Sequence, residues 1–124
     1  MCMSIHEPSF DWSQAASLLG DDPTQVADDM ADIVVELIQG ANLHLQELKK
    51  KNPETDRKAI ASEAHQLRGS LLNFGFTEVG AILLKIEKNE YESGDYLTML
   101  DQTEEVFAAS KKMLVARYPS ITLA

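Results

Sequence analysis

The sequence predicts an all-α protein: an antiparallel four-helix bundle with a short additional helix at its N-terminal side. Three observations carry that expectation. The 6 glycines and 4 prolines are few for 124 residues, and most fall where they punctuate long segments. Apolar residues recur at intervals of three and four, the period of a helix with one buried face. No segment reads as a strand.

The turn signals divide the chain into five helical stretches. The first is short, from about Asp11 to Leu19, with Gly20 placed as a stop. Asp22 and Pro23 then read as an N-cap followed by proline at the first helical position. The second helix continues through Val26, Met30, Ile33, Val34, Leu37 and Ile38, passes Gly40 as a candidate kink, and reaches Lys50 by way of Leu45 and Leu48. Asn52 and Pro53 repeat the start signal for a third helix that runs to Phe74 and stops at Gly75. Thr77 is placed to cap a fourth, with Val79, Ile82, Leu83 and Ile86 facing inward. After Ser93-Gly94, Asp95 is placed to cap a fifth, with Leu100, Thr103, Phe107, Ser110 and Leu114 along one side and Pro119 at its end. Four long amphipathic helices with short connections pack as an antiparallel bundle, leaving the short helix as a lid. Residues 1–124 read as one domain, with residues 1–9 as a flexible N-terminal segment.

Composition narrows the class. A formal net charge of -9 argues against nonspecific nucleic-acid binding, which needs clustered Lys and Arg. One cysteine, Cys2, allows no intrachain disulfide, so nothing demands an oxidising compartment. No apolar run approaches the ~18 residues needed to span a bilayer. A cytoplasmic monomer that contacts neither membrane nor nucleic acid is the expectation. A metal-carboxylate bundle would require Glu-x-x-His pairs. Neither His44 nor His65 completes that spacing, so no metal is expected.

The third helix holds the informative face. At about 100° per residue, Ile60, Ala64, Leu67, Leu71 and Phe74 share the side that must face the core. His65 points roughly the other way. Within about 60° of it lie Lys58, Ala61, Ser62, Arg68, Gly69 and Leu72. Two cations thus flank an exposed imidazole in an acidic chain. A phosphoryl group on His65 would bring negative charge that Arg68 could meet with charge-assisted hydrogen bonds. Gly69 costs about 1 kcal/mol relative to alanine inside a helix, yet it stands one turn after His65. A missing side chain there lets another protein approach the ring, and Leu72 could contact that partner.

His65-Gln66-Leu67-Arg68-Gly69-Ser70, with Gly75 ten residues after the histidine, closely resembles the signature of histidine-containing phosphotransfer (HPt) domains. The resemblance extends through Leu84 and Glu87 to the acidic stretch around Gly94 and, with the helix order, covers nearly the whole chain. It implies that His65 is the phosphoacceptor, that Arg68 supports the phosphate and that Gly69 keeps the approach open. It also places Glu87 where family members orient the imidazole from the following helix; Glu87 can equally be a solvated helix residue. Arg68 stands for the commoner Lys. Leu71 and Leu72 stand where many members have small residues, which makes the docking face more apolar. Phe76 replaces the usual Ala, a version similar to the phosphotransfer domain of chemotaxis histidine kinases.

The resemblance implies a phosphorelay intermediate. Its phosphoryl group would come from an aspartyl-phosphate receiver domain or a kinase and pass to a response-regulator receiver. A hybrid sensor histidine kinase is the other candidate partner. The chain itself would be a phosphocarrier without a cofactor, the Mg²⁺ and catalytic groups belonging to the receiver. Docking is expected around Leu72, Ser62 and Ala61, with Leu18, Leu19 and Val26 from the first two helices. The alternative is a helical adaptor that binds receivers without being phosphorylated.

Overall fold

A computed structural model describes residues 7–121. It contains α1 (Trp12–Leu19), α2 (Asp28–Lys50), α3 (Arg57–Leu72), α4 (Thr77–Glu87) and α5 (Tyr96–Arg117), with a 3₁₀ turn at Ser93–Asp95 before α5. No strand occurs among the described residues. The expected all-α bundle is present. No helix among them is long and apolar enough to cross a membrane.

Side-chain ties fix the antiparallel order. At one end, the Tyr96 hydroxyl at the start of α5 donates to the Leu48 carbonyl near the end of α2, at 2.6 Å. Arg57, first in α3, donates to the Tyr91 carbonyl and the Ser93 hydroxyl beyond α4, each at 3.2 Å. Its guanidinium also lies over the Tyr91 ring, 4.0 Å from the centroid. At the other end, α1 closes the bundle. Gln14 donates to the Asn73 carbonyl at 3.1 Å, and the Tyr118 hydroxyl donates to the Gly20 carbonyl at 3.2 Å. Beneath α1, Phe76 meets Phe10 and Phe107 edge to face at 5.1 and 5.4 Å, a favoured aromatic geometry. Phe76, fully buried, therefore fills core volume rather than the docking face.

The helix interiors match the periodicity. Ile60, Ala64, Leu67, Leu71 and Phe74 of the third stretch are buried, as are Thr103 and Ser110 on α5. The starts differ. α2 begins at Asp28, not Asp22, because the Asp22 carboxylate accepts from the Thr24 amide and hydroxyl and closes a local turn. α3 begins at Arg57. The Asn52 side chain bonds the Glu54 amide and Asp56 bonds the Asn52 amide, so this stretch forms a turn ahead of the helix. Thr77 and Asp95 stand at helix starts without capping through their side chains. Gly40 leaves α2 unbroken.

The expectation of a flexible segment over residues 1–9 is corrected in part. Pro8 is buried, and the Ser9 amide donates to the Glu78 carboxylate at 2.9 Å. Residues 1–6 lie outside the described residues.

Candidate functional site

His65 stands in the middle of α3, with its side chain 65% exposed. Its position follows from the core pattern: Ala64 and Leu67 are buried on the opposing side, which turns residue 65 outward. The ring is not free to swing. Its Nδ1 lies 3.0 Å from Oε2 of Glu87, the last residue of α4. Arg68, one turn further along α3, donates from Nε to the other oxygen of the same carboxylate at 2.9 Å. One carboxylate therefore holds both residues. The Arg68 and Glu87 side chains are each 23% exposed, so solvent screens their attraction only in part.

The pairing decides the charge of the group. The Arg68 guanidinium holds the Glu87 carboxyl below its ordinary value; partial burial opposes this and the hydrogen bond to His65 adds to it. Glu87 is therefore an acceptor at neutral pH. When the ring is neutral and Nδ1 carries the proton, that proton points to Glu87 and Nε2 presents its lone pair to solvent.

Close packing of α3 on α4 brings Glu87 within reach. Leu72 lies across Gly80, where a Cβ would meet Leu72 Cδ2 at 2.6 Å. Leu72 is thus half-buried against α4, less available to a partner than expected. Leu71, expected to enrich the docking face, is fully buried in the core. At Gly69 the opposite holds: a Cβ would meet nothing within 4 Å among the described residues. No packing demand explains that glycine, so it leaves open space one turn from the imidazole.

The other expected site residues are dispersed. Lys58 and Ser62 are exposed and border one shallow depression with Thr55, Asp56 and Ala59. Lys58 stands seven residues before His65, about 10 Å along the helix axis. Ala61 is half-buried. Leu18 and Val26 are partly buried against the core. Leu19 is 3% exposed and is removed from the docking face: with Ala15, four residues earlier, it forms the stripe that seats α1.

Two features escaped the sequence. Ile33, placed in the inward stripe of α2, is 45% exposed. It lies about 100° from the fully buried Val34, at the edge of the stripe that faces the core. His44 on α2 pairs through Nδ1 with Glu63 on α3, a second imidazole–carboxylate pair that ties these helices together. No group of residues suited to hold a metal ion occurs among the described residues.

A family model described as "Hpt domain" matches residues 25–112, from just before α2 to within α5. No curated protein and no solved structure matches the chain. The matched span covers most of the chain and includes His65, Arg68, Gly69 and Glu87. The bundle, the outward imidazole and the matched span agree: the chain belongs to the Hpt domain family, the histidine phosphotransfer modules of two-component phosphorelays.

Proposed function

We propose that His65 accepts a phosphoryl group from an aspartyl phosphate on a receiver domain, or from a kinase, and passes it to a response-regulator receiver. The observation that supports this most is the shared carboxylate: Glu87 holds the exposed His65 ring at Nδ1 and anchors Arg68 beside it.

In the loading step the Nε2 lone pair attacks phosphorus in line with the aspartyl oxygen. The N–P bond forms, the P–O bond breaks, and its electron pair stays on the receiver's carboxylate. Hydrogen bonding to Glu87 disperses the positive charge that the ring acquires. Arg68 uses Nε on Glu87, and its terminal nitrogens make no protein hydrogen bond among the described residues. They are left for the phosphoryl oxygens. Lys58 adds positive charge further along the same face. Gly69 admits the partner's active site, which supplies Mg²⁺ and the remaining transition-state stabilisation. Leu72, Ser62, Ala61, Leu18 and Val26 border the approach. The chain acts as a phosphocarrier in the cytoplasm.

The test incubates the protein with a phosphorylated receiver and compares wild type with His65→Gln. Transfer of an acid-labile, base-stable phosphoryl group to wild type alone is expected. Receiver binding without label on either protein would establish an adaptor instead.

A further inference from the structure

We infer that the groove between α2 and α5 is a docking site for an acidic amphipathic helix of a partner protein, separate from the face that carries His65. In the bundle α3 packs between α2 and α4, and α5 packs between α4 and α2. His65 and Glu87 join α3 to α4. The groove therefore lies on the opposite face, where a bound helix leaves the imidazole free.

Side-chain size shapes the groove. On α2, Val35, Ile38, Gln39 and Asn42 recur at three-and-four spacing. They face Ala108 and Val115 of α5 across an open groove of about 590 Å³. Val35, Ile38 and Val115 supply its apolar floor. Ala108 and Ala116 also line it, both exposed, and both are too small to fill it. They stand eight residues apart, about 12 Å along the helix axis, which is room for two turns of a third helix. Small side chains let helix axes approach closely, and an apolar stripe laid into such a groove is shielded from water on both sides.

Charge selects the partner. The chain carries 20 acidic residues against 11 Lys and Arg, yet no acidic residue lines this groove. Lys111 and Lys112 stand on its α5 wall, and neither makes an ion pair among the described residues. The Lys111 ammonium instead lies 4.6 Å from the centroid of the Phe107 ring, a contact that brings no neutralising charge. Glu104, one turn before Ala108, is already balanced by Lys49. At physiological ionic strength, charges more than about 8 Å away are largely screened. A carboxylate on an approaching helix thus meets two free ammonium groups rather than the net charge of the chain.

The probe is a synthetic peptide of about 15 residues, with leucines at three-and-four spacing and glutamates on the flanking positions. It is titrated into the ¹⁵N-labelled full chain, a measurement that does not depend on phosphorylation of His65. Amide shifts are expected along residues 35–42 and 108–116 and not around His65, with affinity falling as salt is raised. Lys111→Glu combined with Lys112→Glu turns two attractions into repulsions and should weaken binding about tenfold or more. A matching peptide with lysines for glutamates should bind that variant well and wild type poorly. Ala108→Trp fills the groove from an exposed position. It should block the acidic peptide while helical circular dichroism and phosphoryl transfer to His65 stay as in wild type.

No shift with the acidic peptide, equal binding of the acidic and basic peptides, or shifts centred on α3 and α4 would each overturn the proposal. So would sedimentation of the chain alone as dimers that Ala108→Trp disperses, since the occupant would then be a second copy.

Discussion

Gly75 and Asp11 meet backbone to backbone. The Asp11 amide donates to the Gly75 carbonyl at 2.8 Å, while a Cβ on residue 75 would lie 2.5 Å from the Asp11 carbonyl oxygen. Gly75 also has φ of +94°, a conformation that costs a side-chain-bearing residue roughly 1–2 kcal/mol. Strain and collision act together. Gly75→Ala should destabilise the fold by about 2 kcal/mol or more, measured by urea unfolding, and loosen α1 from the end of the bundle.

The second glycine of the same motif predicts the opposite sign. Gly69 is exposed within α3, and its missing Cβ faces open space. Gly69→Ala should stabilise the fold by up to about 1 kcal/mol through helix propensity alone. A bulky replacement such as Gly69→Phe should leave the helical circular dichroism intact and slow transfer from a phosphorylated receiver more than tenfold. Normal transfer in that variant would remove the steric account of this residue.

The two glycines show what the sequence made legible. The core stripe of α3 follows from period alone, because burial of Ile60, Ala64, Leu67 and Leu71 leaves His65 only one way to point. The Glu87 partnership could be expected only as a resemblance, because it depends on how far α4 slides along α3, and Leu72 resting in the space at Gly80 sets that fit. Helix starts were less legible. Asp22 and Asn52 carry the residue types of caps, but both close local turns instead. Docking residues were the least legible, since an apolar side chain on a two-sided amphipathic helix reads the same whether it seats the helix or meets a partner. Leu19, expected on the surface, is buried, and Ile33, expected inside, is exposed.

That difference is itself testable. Leu19→Asp would place a charge in the core and should unfold the protein or cost several kcal/mol. Ile33→Asp acts on an exposed position and should change stability by less than about 0.5 kcal/mol. The His44–Glu63 pair fixes the register of α2 against α3. In the antiparallel arrangement it sets Ile33 level with the C-terminal end of α3. Ile33 is an exposed large apolar side chain, so its replacement by Asp should weaken receiver binding in calorimetric titration, and equal affinities for Ile33→Asp and wild type would exclude it from the docking face.

Two buried hydroxyl groups should respond in opposite directions. The Tyr96 hydroxyl donates to the Leu48 carbonyl at 2.6 Å, and Tyr96→Phe should cost about 1 kcal/mol. Ser110 is fully buried on α5 with no partner for its hydroxyl among the described residues. Ser110→Ala removes a desolvated polar group and should be neutral or stabilising by up to about 1 kcal/mol. Paired thermal melts of the two variants against wild type check both signs.

The last prediction concerns pH. Arg68 is the main cause of the lowered Glu87 pKa, burial works against it, and His65 lowers it further. A carboxyl whose pKa is lower in the folded than in the unfolded state stabilises the fold above the unfolded value, near 4.5, and loses that contribution as pH falls through its folded value. The site should hold together at pH 5 and come apart only below the ordinary carboxylate range. Arg68→Ala removes the largest lowering influence and leaves burial in place. Its Glu87 side-chain ¹³C resonance should titrate at a higher pH than in wild type. The His65–Glu87 hydrogen bond should fail at that same higher pH. If the midpoint is unmoved, Arg68 does not hold the carboxylate, and the shared-acceptor arrangement cannot be what positions the ring.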